Sequence, residues 1–360
     1  MKRFSTNSVI VKAMKNSVMT IASVSMLVAL AVLSSQLTRA RGASAPDHTV
    51  TQADMEKWKV QLSNWGRWGK DDQKGTLNLI TPEKRKEAAA LVKDGFSVSL
   101  AHDALTEKAI DNPNPYEDTM TGAGPIASGD RISVSFHGYA HTHFDALGHH
   151  FVDGKLYNGF SQEQYVTKEG GAMKGSVINA KDGVFTRGIL MDIPRLKGVE
   201  SLEPGTPIYV EDLEAWEKQA GVKVKSGDAL FIRSGRWTRR AKSGPWDVGK
   251  NAAGLDASVI PWLKQRDVAL IGSESALSVV PFPPATQIPA RAPEGGQLWD
   301  YLPVHNFVLT VLGMNVVDNM DLDKLSEACA ARKRWAFLVT MAPLPMPKGT
   351  GSPINPTAVF

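Results

Sequence analysis

Five of the chain's eight histidines lie within fourteen residues, from His137 to His150. The segment before them, Arg131–Phe136, is apolar at alternate positions and rich in β-branched residues, which predicts a strand. Imidazoles and a carboxylate grouped on one ribbon would suit a divalent transition metal such as zinc or manganese. If the strand continues, its period of two places these side chains on one face: His137, Tyr139, His141, His143 and Asp145.

A single histidine in a strand is more often a core or surface residue than a metal ligand. The number of imidazoles in this window, interleaved with Thr142 and Asp145, favours a metal site instead. His149 follows Asp145 by four residues, past the expected end of the strand, and we expect it to turn back toward the same point.

Such a site has a definite chemistry. A metal held by neutral imidazoles and one carboxylate lowers the pKa of bound water and polarises a carbonyl group, and amide hydrolysis needs both effects. His149 is the candidate for taking a proton from water and giving it to the leaving nitrogen. No Gly-x-Ser-x-Gly nucleophile motif is present, and the single cysteine, Cys329, falls in a predicted surface helix.

The motif Thr142-His143-x-Asp145-x-x-x-His149 resembles the signature of the cyclase family of metal-dependent hydrolases. That signature is His-x-Gly-Thr-His-x-Asp-x-Pro-x-His, and its proline is Leu147 here, which resembles a longer-chain branch of the family. The resemblance implies hydrolysis of a carbon–nitrogen bond in an aryl formamide or a small cyclic amide. It also implies a small-molecule substrate and a homo-oligomer.

The resemblance leaves one metal ligand open. The family's first histidine ligand stands four residues before His143, where this chain has Tyr139. Its role would pass to either His137 or His141, since both lie on the same predicted face, and the sequence does not choose between them.

The resemblance also points to a second half of the metal site. In family members with two metal ions, a histidine and an acid about a dozen residues later complete it, and the matching residues here are His305 and Asp318. Asp318 stands where a glutamate is typical, and its side chain is one methylene shorter. We therefore expect either one or two ions, of zinc or manganese.

Apolar runs at residues 187–193, 229–235 and 268–272 alternate with helical segments, which predicts a mixed α/β fold. The family resemblance implies a β-rich swivelling β/α/β architecture. Residues 111–130 and 279–293 are rich in proline and predict long loops, of which we expect the first to cover the site and both to govern specificity. Residues 46–360 are expected to form one catalytic domain.

The first 45 residues predict an export signal and spacer. Lys2, Arg3, Lys12 and Lys15 make a positive start, the apolar run Val18–Leu33 follows, and small residues come next. The apolar run is short for a membrane-spanning helix. We therefore expect export to the periplasm or beyond without stable membrane insertion after signal removal; an uncleaved membrane anchor is the alternative.

The charge of the chain bears on whether nucleic acid is a partner. The formal net charge is +4, and no acidic residue occurs in the basic first 41 positions, so the remaining chain is close to neutral. No basic stripe argues for nucleic acid as a partner.

Two alternatives to the amidohydrolase remain: a metal enzyme acting as a lactonase, dehydratase or cyclase, and a non-enzymatic exported metal-binding protein.

Overall fold

The computed structural model describes residues 46–288 and 302–360, so the predicted export signal and the end of the second proline-rich loop lie outside the described residues. The described strands are β1 (Val50–Thr51), β2 (Ser97–Ser99), β3 (Glu117–Ala123), β4 (Ser128–Ser133), β5 (His143–Asp145), β6 (Val166–Thr167), β7 (Gly171–Ala172), β8 (Val184–Asp192), β9 (Pro207–Ile208), β10 (Ala229–Arg233), β11 (Gly254–Leu255), β12 (Leu270–Ser273), β13 (Thr286–Gln287), β14 (Asn315–Asp318), β15 (Ala336–Met341), β16 (Gly351–Pro353) and β17 (Thr357–Val359).

Helices connect these strands. The described α-helices are α1 (Gln52–Gln61), α2 (Pro82–Ala89), α3 (Gln162–Tyr165), α4 (Ile193–Lys197), α5 (Val210–Ala220), α6 (Arg236–Ser243), α7 (Ile260–Gln265), α8 (Pro303–Thr310) and α9 (Asp323–Arg332). Short 3₁₀ turns lie at Gly75–Leu79, Tyr157–Gly159, Val177–Ala180 and Ala257–Val259. Within the described ranges, no helix combines the length and apolar character needed to cross a membrane.

A nine-stranded mixed sheet organises the fold, in the order β16-β5-β14-β12-β10-β8-β15-β17-β2. Its centre, from β14 to β8, is parallel, and the strands added on both sides are antiparallel. Every residue of β10, β12 and β14 is buried, as expected for parallel strands that are covered on both faces. The predicted mixed α/β fold is confirmed.

The three-residue strand β5 contains two candidate ligands of the motif, His143 and Asp145, and belongs to this sheet. It lies between β14 and β16 and pairs antiparallel with both. His143 and Asp145 are two residues apart and therefore share a face of the strand. Asp318, the last residue of β14, pairs directly with His143, so this register brings residues 175 positions apart in sequence to one point.

The strand predicted at residues 131–136 is present only as far as Ser133, and it does not continue to residue 145. β4 ends at Ser133, and residues 137–141 form bends before β5 begins at His143. Gly138 has φ 152°, a value that only glycine adopts readily. The carbonyl groups of the bent segment accept hydrogen bonds from side chains instead of from a neighbouring strand, which is why the period of two does not hold.

The predicted long loop at residues 111–130 is also wrong in part. β3 and β4 pair as a two-stranded hairpin, and every residue of β3 is exposed. A turn closes the hairpin where the Gly124 amide donates to the Ala127 carbonyl at 3.0 Å. The prolines lie in this turn and in the segment before the hairpin, whereas Gly122 and Gly129 pair with each other within the strands.

The single cysteine lies on the buried face of its helix. Cys329 lies in α9 and is fully buried, together with Leu325 and Ser326 on the same helix. Burial raises the pKa of the Cys329 thiol, so the group is unreactive where it lies.

Candidate metal centre

Asp145 lies at the centre of a cluster of imidazoles and carboxylates. Its Oδ1 atom is 3.0 Å from Nδ1 of His137 and 3.4 Å from Nε2 of His143. Its Oδ2 atom is 3.1 Å from Nε2 of His305 and 3.9 Å from Nε2 of His149. Two sets of candidate ligand atoms, each within 4.8 Å of one another, share Asp145: His137, Asp145 and His149, and His143, Asp145 and Asp318.

A backbone contact sets the orientation of His143. Its Nδ1 atom lies 2.8 Å from the carbonyl oxygen of His141, which can only accept, so Nδ1 carries the proton. The Nε2 lone pair is then free on the side of Asp145. Metal-binding histidines are commonly oriented by this kind of hydrogen bond on the opposite ring nitrogen.

His137 reaches the same carboxylate from the bent segment. Its Nε2 atom lies 3.1 Å from the Thr350 hydroxyl, which leaves Nδ1 facing Asp145. Gly351, on β16, permits this approach, because a Cβ atom there would lie 2.8 Å from Cε1 of His137 and 2.6 Å from the Phe144 carbonyl oxygen. The first residue of β16 must therefore be glycine for His137 to lie where it does.

His305 lies between the two buried carboxylates. Its Nε2 atom is 3.1 Å from Asp145 and 3.2 Å from Asp318. Burial lowers the pKa of His305, but the charge of Asp318 and the bonds to both acids outweigh burial and raise this pKa to about 10. Without a metal ion, a proton on His305 thus balances the charge of the two acids, and a bound cation would take the place of that proton.

The residues present fit a metal ion. The side chains of Asp145, His143 and His305 are at most 2% exposed. Four buried polar atoms of the cluster have no hydrogen-bond partner: Nδ1 of His137, Oδ1 of Asp145, Nδ1 of His305 and Oδ1 of Asp318. Unsatisfied buried polar atoms are costly, and nitrogen and carboxylate oxygen are the donors that zinc and manganese accept.

His149 is less enclosed than these residues, with a side chain 24% exposed. Its ring stacks on that of His137 at a centroid distance of 3.8 Å. Burial, opposed by Asp145, lowers the pKa of His149 to about 3, so the imidazole is neutral near pH 7. A neutral ring here has a lone pair for either a proton or a metal ion.

A match to a model of a protein family shows which family the chain belongs to. A family model described as "Putative cyclase" matches residues 96–277, about half of the chain. The chain belongs to the Cyclase family. A crystal structure described as a novel cyclase is 31% identical, with a TM-score of 0.71, over 83% of this chain and 99% of that chain. The predicted family and its fold are thereby confirmed.

Two isatin hydrolases are more distant solved structures. One, bound to the product analogue thioisatinate, is 19% identical with a TM-score of 0.49, over 76% of this chain and 95% of that chain. The other, isatin hydrolase A from Ralstonia solanacearum, is 19% identical with a TM-score of 0.49, over 74% of this chain and 92% of that chain. No curated protein sequence matches the chain.

In this Cyclase-family protein the two histidines left open by the sequence lie in different places. His137 contacts Asp145, whereas His141 belongs to neither ligand set. His141 instead lines a cavity of about 440 Å³ with His102 and Tyr116. The expectation that both histidines share a face with Asp145 fails because the segment that carries them bends instead of extending.

Several residues of the Cyclase-family site were missed. His150 lies inside the histidine run, and its ring contacts those of His149 and His305 at 4.4 and 4.8 Å. Burial lowers the pKa of His150 well below its usual value. Its place in the run was the only signal. The sequence contains no signal that Thr350 or Asn319 belongs to the site, because their contacts with the motif are set by tertiary structure.

A small cavity lies beside His137. It has a volume of about 120 Å³ and is lined by residues 110–114, 137–140 and 247–249, with Ser135. The first part of the predicted 111–130 loop therefore lines the space next to a candidate ligand, while its hairpin does not. Residues 247–249 were not singled out by the sequence, since they carry no motif.

Proposed function

We propose that this Cyclase-family protein is a metal-dependent hydrolase that cleaves a carbon–nitrogen bond in a small aryl formamide or cyclic amide. The observation that carries the proposal is the sharing of the buried Asp145 carboxylate between two sets of candidate ligands. Histidine and carboxylate donors that leave positions open for water are typical of metal sites that hydrolyse carbonyl compounds.

The proposed ligands divide into two groups around Asp145. His137 and His143 would complete the first, and His305 and Asp318 the second, so that one or two ions of zinc or manganese are held. A metal bound there would lower the pKa of water and polarise the substrate carbonyl. Two contacts support Asp318 as a ligand although its side chain is shorter than a glutamate's. Nε2 of His305 lies 3.2 Å from its carboxylate, and its pairing with His143 brings it into a ligand set with His143 and Asp145.

His149 is the proposed general base and acid. Its partial exposure beside the candidate ligands gives it access to water, so that it would take a proton from water and return it to the leaving nitrogen. Its stacking on His137 holds the ring beside the ligands. The small volume of the cavity beside His137 supports a small substrate.

The test measures metal content and turnover together. Protein purified without chelator is assayed for zinc and manganese per chain, and for hydrolysis of N-formylkynurenine, isatin and the lactone dihydrocoumarin. We expect about one or two ions per chain and amide hydrolysis that is lost with chelator and restored by metal. A folded protein without metal, or metal-dependent turnover of the lactone alone, would contradict the proposal.

Two variants sharpen this test. Asp145→Asn should lose metal and turnover together, whereas Asp118→Asn, on the exposed hairpin, should retain both. His149→Ala should keep its metal while kcat falls by roughly 100-fold, a typical contribution of general acid–base catalysis. Loss of metal from His149→Ala would instead identify His149 as a ligand, and its assignment as base would be wrong.

A further inference from the structure

The bent segment 137–141 carries His137, and within the described residues it belongs to no strand pair. We propose that Arg236 is a positioning residue for His137, acting with Asn319 through the backbone of this segment. The inference rests on the proposed metal centre and adds a residue pair outside both ligand sets.

Arg236, the first residue of α6, is 4% exposed. One of its terminal nitrogens, Nη1, donates to the Glu274 carbonyl and to Oδ1 of Asn319, both at 2.8 Å. The other, Nη2, donates to the carbonyl of Tyr139, in the middle of the bent segment. A single planar guanidinium therefore joins β12, β14 and the segment that carries His137.

Asn319 holds the same segment from the other side. Its side-chain Nδ2 donates to the carbonyls of Gly138 at 2.7 Å and His141 at 3.2 Å. Its own carbonyl accepts from the Thr142 hydroxyl at 2.7 Å. Asn319 has φ 54°, a conformation that asparagine tolerates better than most residues, and Arg236 fixes the orientation of its amide.

Arg236 and Asn319 together form a clamp on the bent segment. Neighbouring residues in turn hold Arg236 in place. Oε2 of Glu274 accepts from the backbone amides of Ser234, Gly235 and Arg236, at 2.8, 2.6 and 3.1 Å. Asp111, which is 3% exposed, lies 3.6 Å from Nη2 of Arg236 and receives two hydrogen bonds from Arg240. The Arg236 guanidinium thus has a buried counter-charge and a fixed backbone.

The consequence concerns His137 in particular. Of the four backbone carbonyls that follow His137, three accept hydrogen bonds from Arg236 or Asn319, those of residues 138, 139 and 141. Groups that orient a metal ligand from outside typically contribute about 10- to 100-fold in metal affinity. β5 is paired on both sides and holds the backbone of His143 and Asp145, and Arg236 itself bonds to the Tyr139 carbonyl and not to the His141 carbonyl that orients His143. Loss of the Arg236 guanidinium should therefore act mainly on the contribution of His137.

The test is a double-mutant cycle on zinc affinity, measured by competition with a chromophoric chelator. Arg236→Met, which keeps length but removes the donors, should weaken zinc binding about 10- to 100-fold. Arg236→Lys should fall between this variant and the wild type, since an ammonium cannot bridge both partners. Arg239→Met, on the same helix but paired with the exposed Glu203, should leave affinity unchanged.

The cycle separates positioning from a general structural role. Added to His137→Ala, Arg236→Met should weaken zinc binding by less than about 3-fold further, because both act on the same ligand. Fully additive losses, or an unchanged affinity in folded Arg236→Met, would overturn the proposal. If Arg236→Met does not fold, the same cycle with Arg236→Lys decides. Wild-type protein that binds no zinc or manganese would overturn the metal centre itself, whereas wild-type binding with unaffected variants would overturn the clamp alone.

Discussion

At the scale of single residues, hydrogen bonds assign a role to each nitrogen of the cluster. His143 uses Nδ1 for a backbone carbonyl and presents Nε2, whereas His137 uses Nε2 for Thr350 and presents Nδ1. Both free nitrogens face the same oxygen of Asp145. In each imidazole one nitrogen is hydrogen-bonded and the other is available as a ligand, an arrangement suited to holding a cation.

This arrangement predicts different effects for the two histidines that flank the bend. His137→Ala should weaken zinc or manganese binding at least about 10-fold, because it removes a nitrogen 3.0 Å from Asp145. His141→Ala should change the affinity little, because its ring lies outside both ligand sets.

Calorimetric titration of both metal-free variants measures the difference. Circular dichroism confirms that each variant is folded, which matters because His141 is 6% exposed and its removal leaves a cavity. The assignment would be contradicted if His141→Ala lost more affinity than His137→Ala.

At the scale of elements, the strand β5 carries both a residue of the hydrophobic core and two candidate metal ligands. Its central residue, Phe144, is fully buried in the hydrophobic core, and its outer residues, His143 and Asp145, belong to the ligand sets. The strand is only three residues long, yet it is paired on both sides. Packing of one phenyl ring therefore stabilises the position of two candidate ligands.

Phe144→Ala should lower the free energy of unfolding by about 3–5 kcal/mol, the usual cost of truncating a buried phenylalanine. Urea denaturation in the presence of chelator measures this without a contribution from metal. The matched control is Ile132→Ala on the hairpin, where the side chain is 57% exposed and the change should stay within about 0.5 kcal/mol. Equal denaturation midpoints for the two variants would show that β5 does not depend on this ring.

The elements differ in how far the sequence predicted them. The apolar runs at 187–193, 229–235 and 268–272 correspond to β8, β10 and β12, because strands buried on both faces are continuously apolar. Thr81 caps α2 and Pro82 occupies its first position, a local combination that favours the start of a helix. The hairpin was missed because its exposed residues have no apolar alternation.

At the scale of the whole chain, the sheet and its helices are formed by the described residues, and the first 45 residues lie outside them. We propose that these residues direct export and are removed, as their basic start, apolar run and small residues indicate. This protein would then act outside the cytoplasm, on a substrate encountered there.

Expression of the full chain in a bacterium, with cell fractionation and mass spectrometry of the amino terminus, tests this proposal. We expect periplasmic protein that begins between about residues 41 and 46, where the small residues lie. Leu27→Arg, which interrupts the apolar run, should retain the protein in the cytoplasm, whereas Leu27→Met should not. Wild-type protein with an intact amino terminus in the membrane fraction would support the uncleaved anchor instead.

The sequence by itself identified the family and the candidate ligands. Histidines and an aspartate at fixed spacing define a ligand set, and continuous apolar runs define the buried strands, because both are local properties of the chain. Only the tertiary structure decided which histidine reaches Asp145. That choice depends on Asn319, whose bonds to Gly138 and His141 span 181 and 178 residues, and on Arg236, which is 97 residues from Tyr139. No local pattern records such contacts, since they exist only once the sheet has brought β5, β14 and α6 together.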